Sequence, residues 1–530
     1  MGIFSFNGQN VYAPQVLVRT EIGANRALTL LPNGVICFVG ASDGGRQNGI
    51  YQFNDLPSAQ RLLRSGDLLD AIVAAVGEGA SAGFVAVVAN TKTSASSTID
   101  GSTGEVATLS SGDQGFYTNS ISYKIAAGTN SGFVFTLTYL DQNNNTITVG
   151  GPGTAYDNLV DMVALQTLLV NNSVVTPPAS TNLPPVVTLT ITTNGVPSST
   201  VGFVTLAGGT GTGTDALTQP EVEAAVDELA DVPFDIGHLV KCYSFAMHNY
   251  ADTFGGQKIA PFGKLRRWIH QAPLTGASAT NSKAVNSEAV ANSVIAAANA
   301  INSIRSSSMV QQALVYNSGT GKQAWMDFAP LVCGRASFVG ANDNWGPASP
   351  LTKVAFQTVL DVDYVALATT GDVDRALEAG GWIFERNSRV ATLGSVQTIQ
   401  SVTTAPVDPN TGRPWLYSEF SIVRVADAVL ANVKATIETQ TPRAIGGGNT
   451  PKTMAAILSD VVDVLEAAKD NQWIISYDRS SITISTIGNL GDADIVNYSM
   501  VPTPPLNHIG VTQTLLAFSA QLTAGNTVSS

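Results

Sequence analysis

The chain has 530 residues, of which 44% are apolar and only 13% charged, with a formal net charge of −13. That length allows roughly three domains, each with its own core. The acidic balance excludes a phosphate-binding surface, because the longest basic run is Arg266–Arg267. No stretch reaches the ~18 uninterrupted apolar residues of a membrane span, since Asp70, Glu78 and several glycines break the most apolar region, Leu68 to Ala89. Cys37, Cys242 and Cys333 are odd in number and far apart in apolar surroundings, and they read as buried thiols of a protein made in the cytoplasm. Met1 to Phe6 hold neither a basic stretch nor a long apolar run, so no secretory leader is expected.

In chain order, residues 1–30 read as an N-terminal arm. Val16, Leu17 and Val18 have strand character, and Pro14 excludes helix. The first part of an α/β core then spans 31–102: a strand at Gly34–Gly40, a Gly-rich loop, a helix over Leu56–Val76 and a buried strand at Phe84–Ala89. Residues 103–215 read as an inserted, outward-facing β-rich domain, poor in charge and rich in Thr, Gly, Asn and Ser. Its candidate strands are Ser120–Ala126, Phe133–Leu140, Thr146–Val149, Val186–Thr192 and Val201–Leu206, with turn chemistry at Asp141–Asn145.

The second part of the core, 216–400, opens on the capping box Thr218-Gln-Pro-Glu221. Strands near Ile236–Tyr243 and Ala313–Tyr316 bracket a helix from Ser282 to Arg305, with Val290, Val294, Ala297, Ile301 and Ile304 on one face. A C-terminal α+β domain, 401–505, carries a helix from Pro451 to about Lys469, capped by Thr450. Met454, Ile457, Leu458, Val461 and Leu465 form its apolar stripe, and Asp460, Asp463, Glu466 and Asp470 make the other side acidic. Strands are expected at Trp473–Tyr477, Ser481–Ile487 and Ile495–Val501. Pro502, Pro504 and Pro505 then detach a C-terminal arm, 506–530, whose strand His508–Phe518 sets Ile509, Val511 and Leu515 on one face. The fold class is α+β and multidomain: an α/β core, an inserted β-rich domain and a small C-terminal sheet.

No motif carries catalytic chemistry. Gly79-Ala-Ser81-Ala-Gly83 has the spacing of a nucleophile elbow, but a helix precedes it and a strand follows, the reverse of what an elbow needs. Gly40-Ala-Ser-Asp-Gly44-Gly45 lacks the third glycine of a dinucleotide loop, and Gly208–Thr214 lacks the P-loop lysine and reads as a flexible connection. His238, His248, His270 and His508 show no metal-ligand spacing, and Asp141-x-Asn143-x-Asn145 departs from a calcium loop at Thr146 and Pro152. The pairs Asp361/Asp363, Asp372/Asp374 and Asp492/Asp494 have no His or Lys nearby and read as solvated turns and strand ends. No cofactor and no metal are expected, and the chain is not expected to be an enzyme.

Several blocks recur in one order: Tyr12-Ala-Pro14-Gln-Val-Leu-Val18, Val35–Gly40, Phe53–Leu56, Gly83–Val88 and Asp113–Asn119, then Pro330–Ala336, Asn342-Asp343, Trp345–Ala348, Leu377–Phe384 and Val423–Asp427. Together they resemble the contractile tail sheath family of phages, which is related to sheaths of R-type pyocins and type VI secretion systems. The resemblance implies a structural homo-oligomer of the virion tail, assembled in the host cytoplasm as hexameric rings stacked helically around a tail tube protein. Baseplate and tail terminator proteins are its further partners, and neither nucleic acid nor membrane is contacted. It implies subunits tied by exchanged terminal strands, here Val16, Leu17, Val18, Ile509, Val511 and Leu515, and contraction that drives the tube through the host envelope for genome delivery. The acidic side of the Pro451 helix, with Asp460, Asp463 and Glu466, is expected to face the tube. The competing readings are a secreted or virion-surface β-rich adhesin or receptor-binding protein, and an α/β hydrolase or transferase. The α/β body argues against the first and the lack of a convergent polar site against the second.

Overall fold

The computed structural model describes residues 4–6, 9–11, 34–80, 83–178, 183–254, 266–274, 287–317, 322–342, 346–362, 370–386, 396–409, 412, 416–438, 451–487 and 493–504. Near the start, β1 (Phe4–Phe6) and β2 (Gln9–Val11) pair antiparallel. The core begins with β3 (Ile36–Gly40), β4 (Ile50–Phe53), α1 (Leu56–Leu63), α2 (Asp67–Gly77) and β5 (Phe84–Val88). The inserted region follows with β6 (Ser96–Gly101), β7 (Gly104–Ser111), β8 (Ser122–Ala127), β9 (Phe133–Leu140), β10 (Thr146–Gly150), α3 (Met162–Asn171), β11 (Val187–Ile191) and β12 (Val204–Thr205).

The core resumes with α4 (Gln219–Asp227), β13 (Ile236–Leu239), α5 (Phe245–Thr253), β14 (Arg267–Gln271), α6 (Ser287–Ile301), β15 (Ser306–Met309), β16 (Gln312–Asn317), β17 (Lys322–Asp327), α7 (Ala329–Asn342), β18 (Val359–Val362), α8 (Thr370–Glu378), β19 (Phe384–Arg386) and β20 (Val396–Thr398). The C-terminal part holds α9 (Phe420–Glu438), α10 (Pro451–Asp470), β21 (Ile474–Tyr477), β22 (Thr483–Ile487), β23 (Ala493–Asn497) and β24 (Met500–Pro502).

Six strands form the central sheet in the order β15-β14-β13-β3-β5-β4, parallel except for β4. Parallel sheets are buried on both faces and read as continuous apolar runs, and the wholly buried β3 and β5 fit that rule. One face packs on α1, α2 and α7 through Phe38, Leu68, Ile72, Leu331 and Val332. The other packs on α4 and α5 through Val39, Val85, Val222, Met247 and Trp268.

The expected single helix over Leu56–Val76 is two helices. Arg64 and Gly66 adopt φ of 64° and 114° between them, and a Cβ on Gly66 would stand 2.5 Å from Gly213 Cα. That close approach also corrects the reading of 208–214 as flexible: Gly213 N donates to Asp43 Oδ1, Asp67 N donates to Gly213 O, and Gly209 is held by Asn119. The glycines there let two backbones touch.

The inserted region has a core of its own, including Ile99, Leu109, Tyr123, Phe135, Leu137 and Leu165. It forms sheets β10-β9-β8-β12 and β11-β7-β6. The β6–β7 hairpin turns at residues 101–104, so a boundary at 102/103 falls inside it. The region is tied to the core by Arg64, whose Nη2 donates to Leu140 O and Asp141 O, and by Asp113, which accepts from Gly45 N.

Helix α7 lies close on α2 because position 334 has no side chain: a Cβ there would meet Ala75 O at 2.4 Å and Ala75 Cα at 2.6 Å. Backbone cannot yield as a flexible side chain can. Replacing Gly334 with Val is therefore expected to destabilise the core by about 1–3 kcal/mol or more, read as a lower urea midpoint against the unchanged parent.

Candidate functional site: the C-terminal assembly surface

Helix α9 joins the C-terminal part to the core. Its first turn buries Phe420 edge-on against Trp382, ring centroids 5.5 Å apart, and Trp382 Nε1 donates to Val402 O. One turn on, Arg424 is fully buried and donates to Ala336 O at 3.1 Å. Asp427 then reaches the central sheet, accepting from Arg267 at 3.1 Å and from Arg305 at 2.6 Å through the same Oδ2. Burial pulls Arg267 below the usual arginine range, and Asp427 beside it opposes that shift.

Helix α10 packs along α9 through its apolar stripe. Ile457, Val461, Val464, Leu465 and Ala468 meet Val425, Val429, Val433 and Ile437 in one core. Asp463 is exposed, whereas Asp460 and Glu466 are half-buried and also have partners within the chain. Met454 and Thr450 lie outside the residues whose side chains are described. Beyond α10, Trp473 closes over Gly346.

Two separate two-stranded ladders follow, β21–β24 and β22–β23. The expected single strand Ile495–Val501 is divided between them, and its last residues return to β21 with a register shift at Ile474/Ser476. Among the described residues, neither outer edge of β21–β24 is paired with a further strand. Ile475 is 53% exposed and Val501 37% on this ladder. Val16, Leu17, Val18, Ile509, Val511 and Leu515 lie outside the described residues.

The readings of absent chemistry find particular occupants. Buried Lys92 fills the Gly40–Gly45 loop, its Nζ donating to Gly44 O at 2.8 Å and Gly45 O at 3.2 Å, and burial lowers it to about 8. Asp361 pairs with Arg386 and Asp372 with Arg375. All three cysteines are free and buried, with burial pushing Cys242 up to about 12. No group of metal-binding side chains occurs among the described residues, and no described helix is long and apolar enough to cross a membrane.

Sequence reasoning missed α9 altogether. Residues 420–430 are all buried, so Phe-Ser-Ile-Val-Arg-Val-Ala-Asp shows no helical periodicity, and its β-branched residues imitate a strand.

The architecture is that of solved sheath tail proteins. The chain matches a sheath tail protein from Listeria innocua with a TM-score of 0.62, covering 90% of this chain and 93% of that one at 14% identity. It matches another from Desulfitobacterium hafniense with a TM-score of 0.54, covering 91% and 100% at 13% identity. No protein-family model and no curated protein sequence matches the chain, so the likeness is one of fold.

Removing Asp427 leaves two arginines without their shared carboxylate, and breaking a buried pair from one side costs about 3–5 kcal/mol. Asp427→Ala is expected to lower the denaturation midpoint accordingly. Glu385→Ala, which breaks the exposed Lys353–Glu385 pair, is expected to change it by less than about 1 kcal/mol.

Proposed function

We propose that this chain is the sheath subunit of a contractile tail, a structural protein that polymerises around a tail tube and contracts to drive it through a host envelope. The observation that carries this reading is the sheath tail protein fold, matched over nine-tenths of this chain. The small size of β21–β24, two strands among the described residues, supports it: a small sheet can be widened by a strand from another chain. In this reading the arms bearing Val16, Leu17 and Val18 and bearing Ile509, Val511 and Leu515 are donated to neighbouring subunits. Backbone pairing on a small sheet survives rotation of the bodies it links, so the lattice stays connected while its other contacts change.

The tube-facing element in this proposal is α10, centred on exposed Asp463 with Asp460 and Glu466 beside it. Exposed ion pairs contribute only ~0.2–1 kcal/mol each and are screened by salt, which suits an attachment released on contraction. Hexameric rings, and baseplate and terminator proteins at the two ends, complete the assembly.

Negative-stain microscopy of the expressed protein tests the reading: hollow tubes are expected, and a monodisperse monomer under all conditions counts against it. Val511→Pro removes a backbone donor from the C-terminal arm. It is expected to abolish tubes while leaving the monomer's melting temperature unchanged, and a destabilised monomer would place that strand in its own subunit. Charge reversal at Asp460, Asp463 and Glu466 is expected to weaken extended sheath on tube while sparing empty contracted tubes. Equal loss of both would move α10 to a contact between sheath subunits.

A further inference from the structure

Three histidines lie fully buried in the core. His248 of α5 stacks on His270 of β14, ring centroids 4.3 Å apart and planes 28° from parallel. His238 stands on the adjacent strand β13 and, by strand alternation, faces the opposite side of the sheet, edge-on to Phe38 at 6.2 Å.

The surroundings fix each ring as a neutral tautomer. His248 Nε2 donates to Cys242 O at 2.8 Å, and His238 Nδ1 donates to Ile269 O at 2.8 Å. Ser306 Oγ gives its hydrogen to Asp252 Oδ1 at 2.6 Å and accepts from His270 Nε2 at 3.3 Å. The nitrogen left to take a proton, Nδ1 of His248 and of His270 and Nε2 of His238, is in each case buried without a hydrogen-bond partner among the described residues. A proton added there meets no acceptor, and two protonated rings in the stack would hold like charges face to face.

The neighbours do little to relieve that charge. From α5 itself come Asp252, already bonded to Ser306, and Tyr250, which donates to Asp227 of α4. The turn before α5 brings Lys241 and Cys242, and the position before β15 brings Arg305, bound to Asp427. Arg267 on β14 shares that carboxylate on the other face of the strand. In α4, Glu221 is held by Thr218 and Thr91, and Glu223 by Gln219. The one ionisable residue of α6, Glu288, is exposed.

We propose that the His248–His270 stack is an acid-released latch, which holds α5 on β14 and β15 at neutral pH and frees it on acidification while the rest of the sheet stays closed. The same helix carries Asp252, bonded to Ser306 of β15, and His248, stacked on His270 of β14, so the two contacts lie one turn apart. β14 and β15 are the last two strands on that side of the sheet, with Gly381, Trp382 and Thr404 bonded along the outer side of β15. Burial lowers His248 to about 4 and His270 well below the ordinary histidine range. The closed state therefore binds fewer protons than the open one, and acid favours opening. The gain begins below the free-histidine value of about 6.5 and approaches tenfold per pH unit for each ring until that ring titrates in the closed state.

Hydrogen exchange of the full chain, corrected for intrinsic rates, at about pH 7 and about pH 4.5 tests this. The expected result is a loss of protection in residues 245–253 on the order of 10³–10⁴-fold at the lower pH relative to β3 and β5, up to about 100-fold from each ring. His270→Phe keeps an aromatic ring in the stack and removes one proton site, so it is expected to keep much of α5's protection in acid. His248→Gln, which retains a donor for Cys242 O, repeats the test if the Phe variant does not fold at neutral pH. Unchanged protection of α5 at the lower pH overturns the proposal. So does a uniform loss across the sheet, or an acid response in the variants equal to the parent's.

Discussion

The buried carboxylate of Asp427 is one of the ties that fasten α9 to the central sheet, beside Phe420 on Trp382 and Arg424 on Ala336 O. Asp427 sits at the boundary between the central sheet and the C-terminal helices and takes Arg267 from β14 and Arg305 from the turn before β15. Buried charges of this kind add little net stability compared with apolar packing, but they tolerate almost no change of partner or position. They therefore fix α9 against the sheet in one register. The C-terminal part is built on α9: α10 packs on it, Trp473, Ile474 and Ile482 beyond α10 join the same core, and Trp473 also lies against Gly346. A slip of α9 by one turn would move that whole surface and strand a charge.

The inserted region obeys the opposite logic. It has a hydrophobic cluster of its own, with Leu183 packed on the central core, and its polar ties to the core include Arg64 and Asp113. Helix α3 carries no charge and exposes Val163 and Val170. A unit with its own core can change its surface without disturbing the sheet beneath it, whereas substitutions at β3, β5 or Gly334 propagate directly into both layers.

How much of this was legible in the sequence follows from what burial does to pattern. β3, β5 and β9 are apolar runs or alternations and were read nearly to their ends, as were the turn at Asp141–Asn145 and the capping box at Thr218, where local chemistry decides the structure. β14 and β15 were not: Arg267-Trp-Ile-His-Gln271 and Ser306-Ser-Ser-Met309 are wholly buried despite their polar residues. They sit inside because distant groups satisfy them, Asp427 for Arg267, Val402 O for Ser307 and Gln311 O for Gln271. No window of sequence contains both members of such a pair. The histidines make the same point: their spacing carries no ligand pattern, and only the sheet brings His248 onto His270.

The C-terminal ladders raise a question of stability rather than of recognition. A two-stranded sheet is marginal on its own, and β21–β24 has one side on α9 and α10 while Ile475 and Val501 face outward. In a polymer of the proposed kind, strands from neighbouring chains would widen the sheet and cover that surface. The ladder's stability would then depend on assembly, because whatever binds only the folded form stabilises it by mass action. In such a polymer each single contact would be weak, yet a lattice in which every subunit both gave and received strands would have to break many pairings at once to come apart. That combination, weak singly and strong in register, is what a tube that changes shape without dissociating requires.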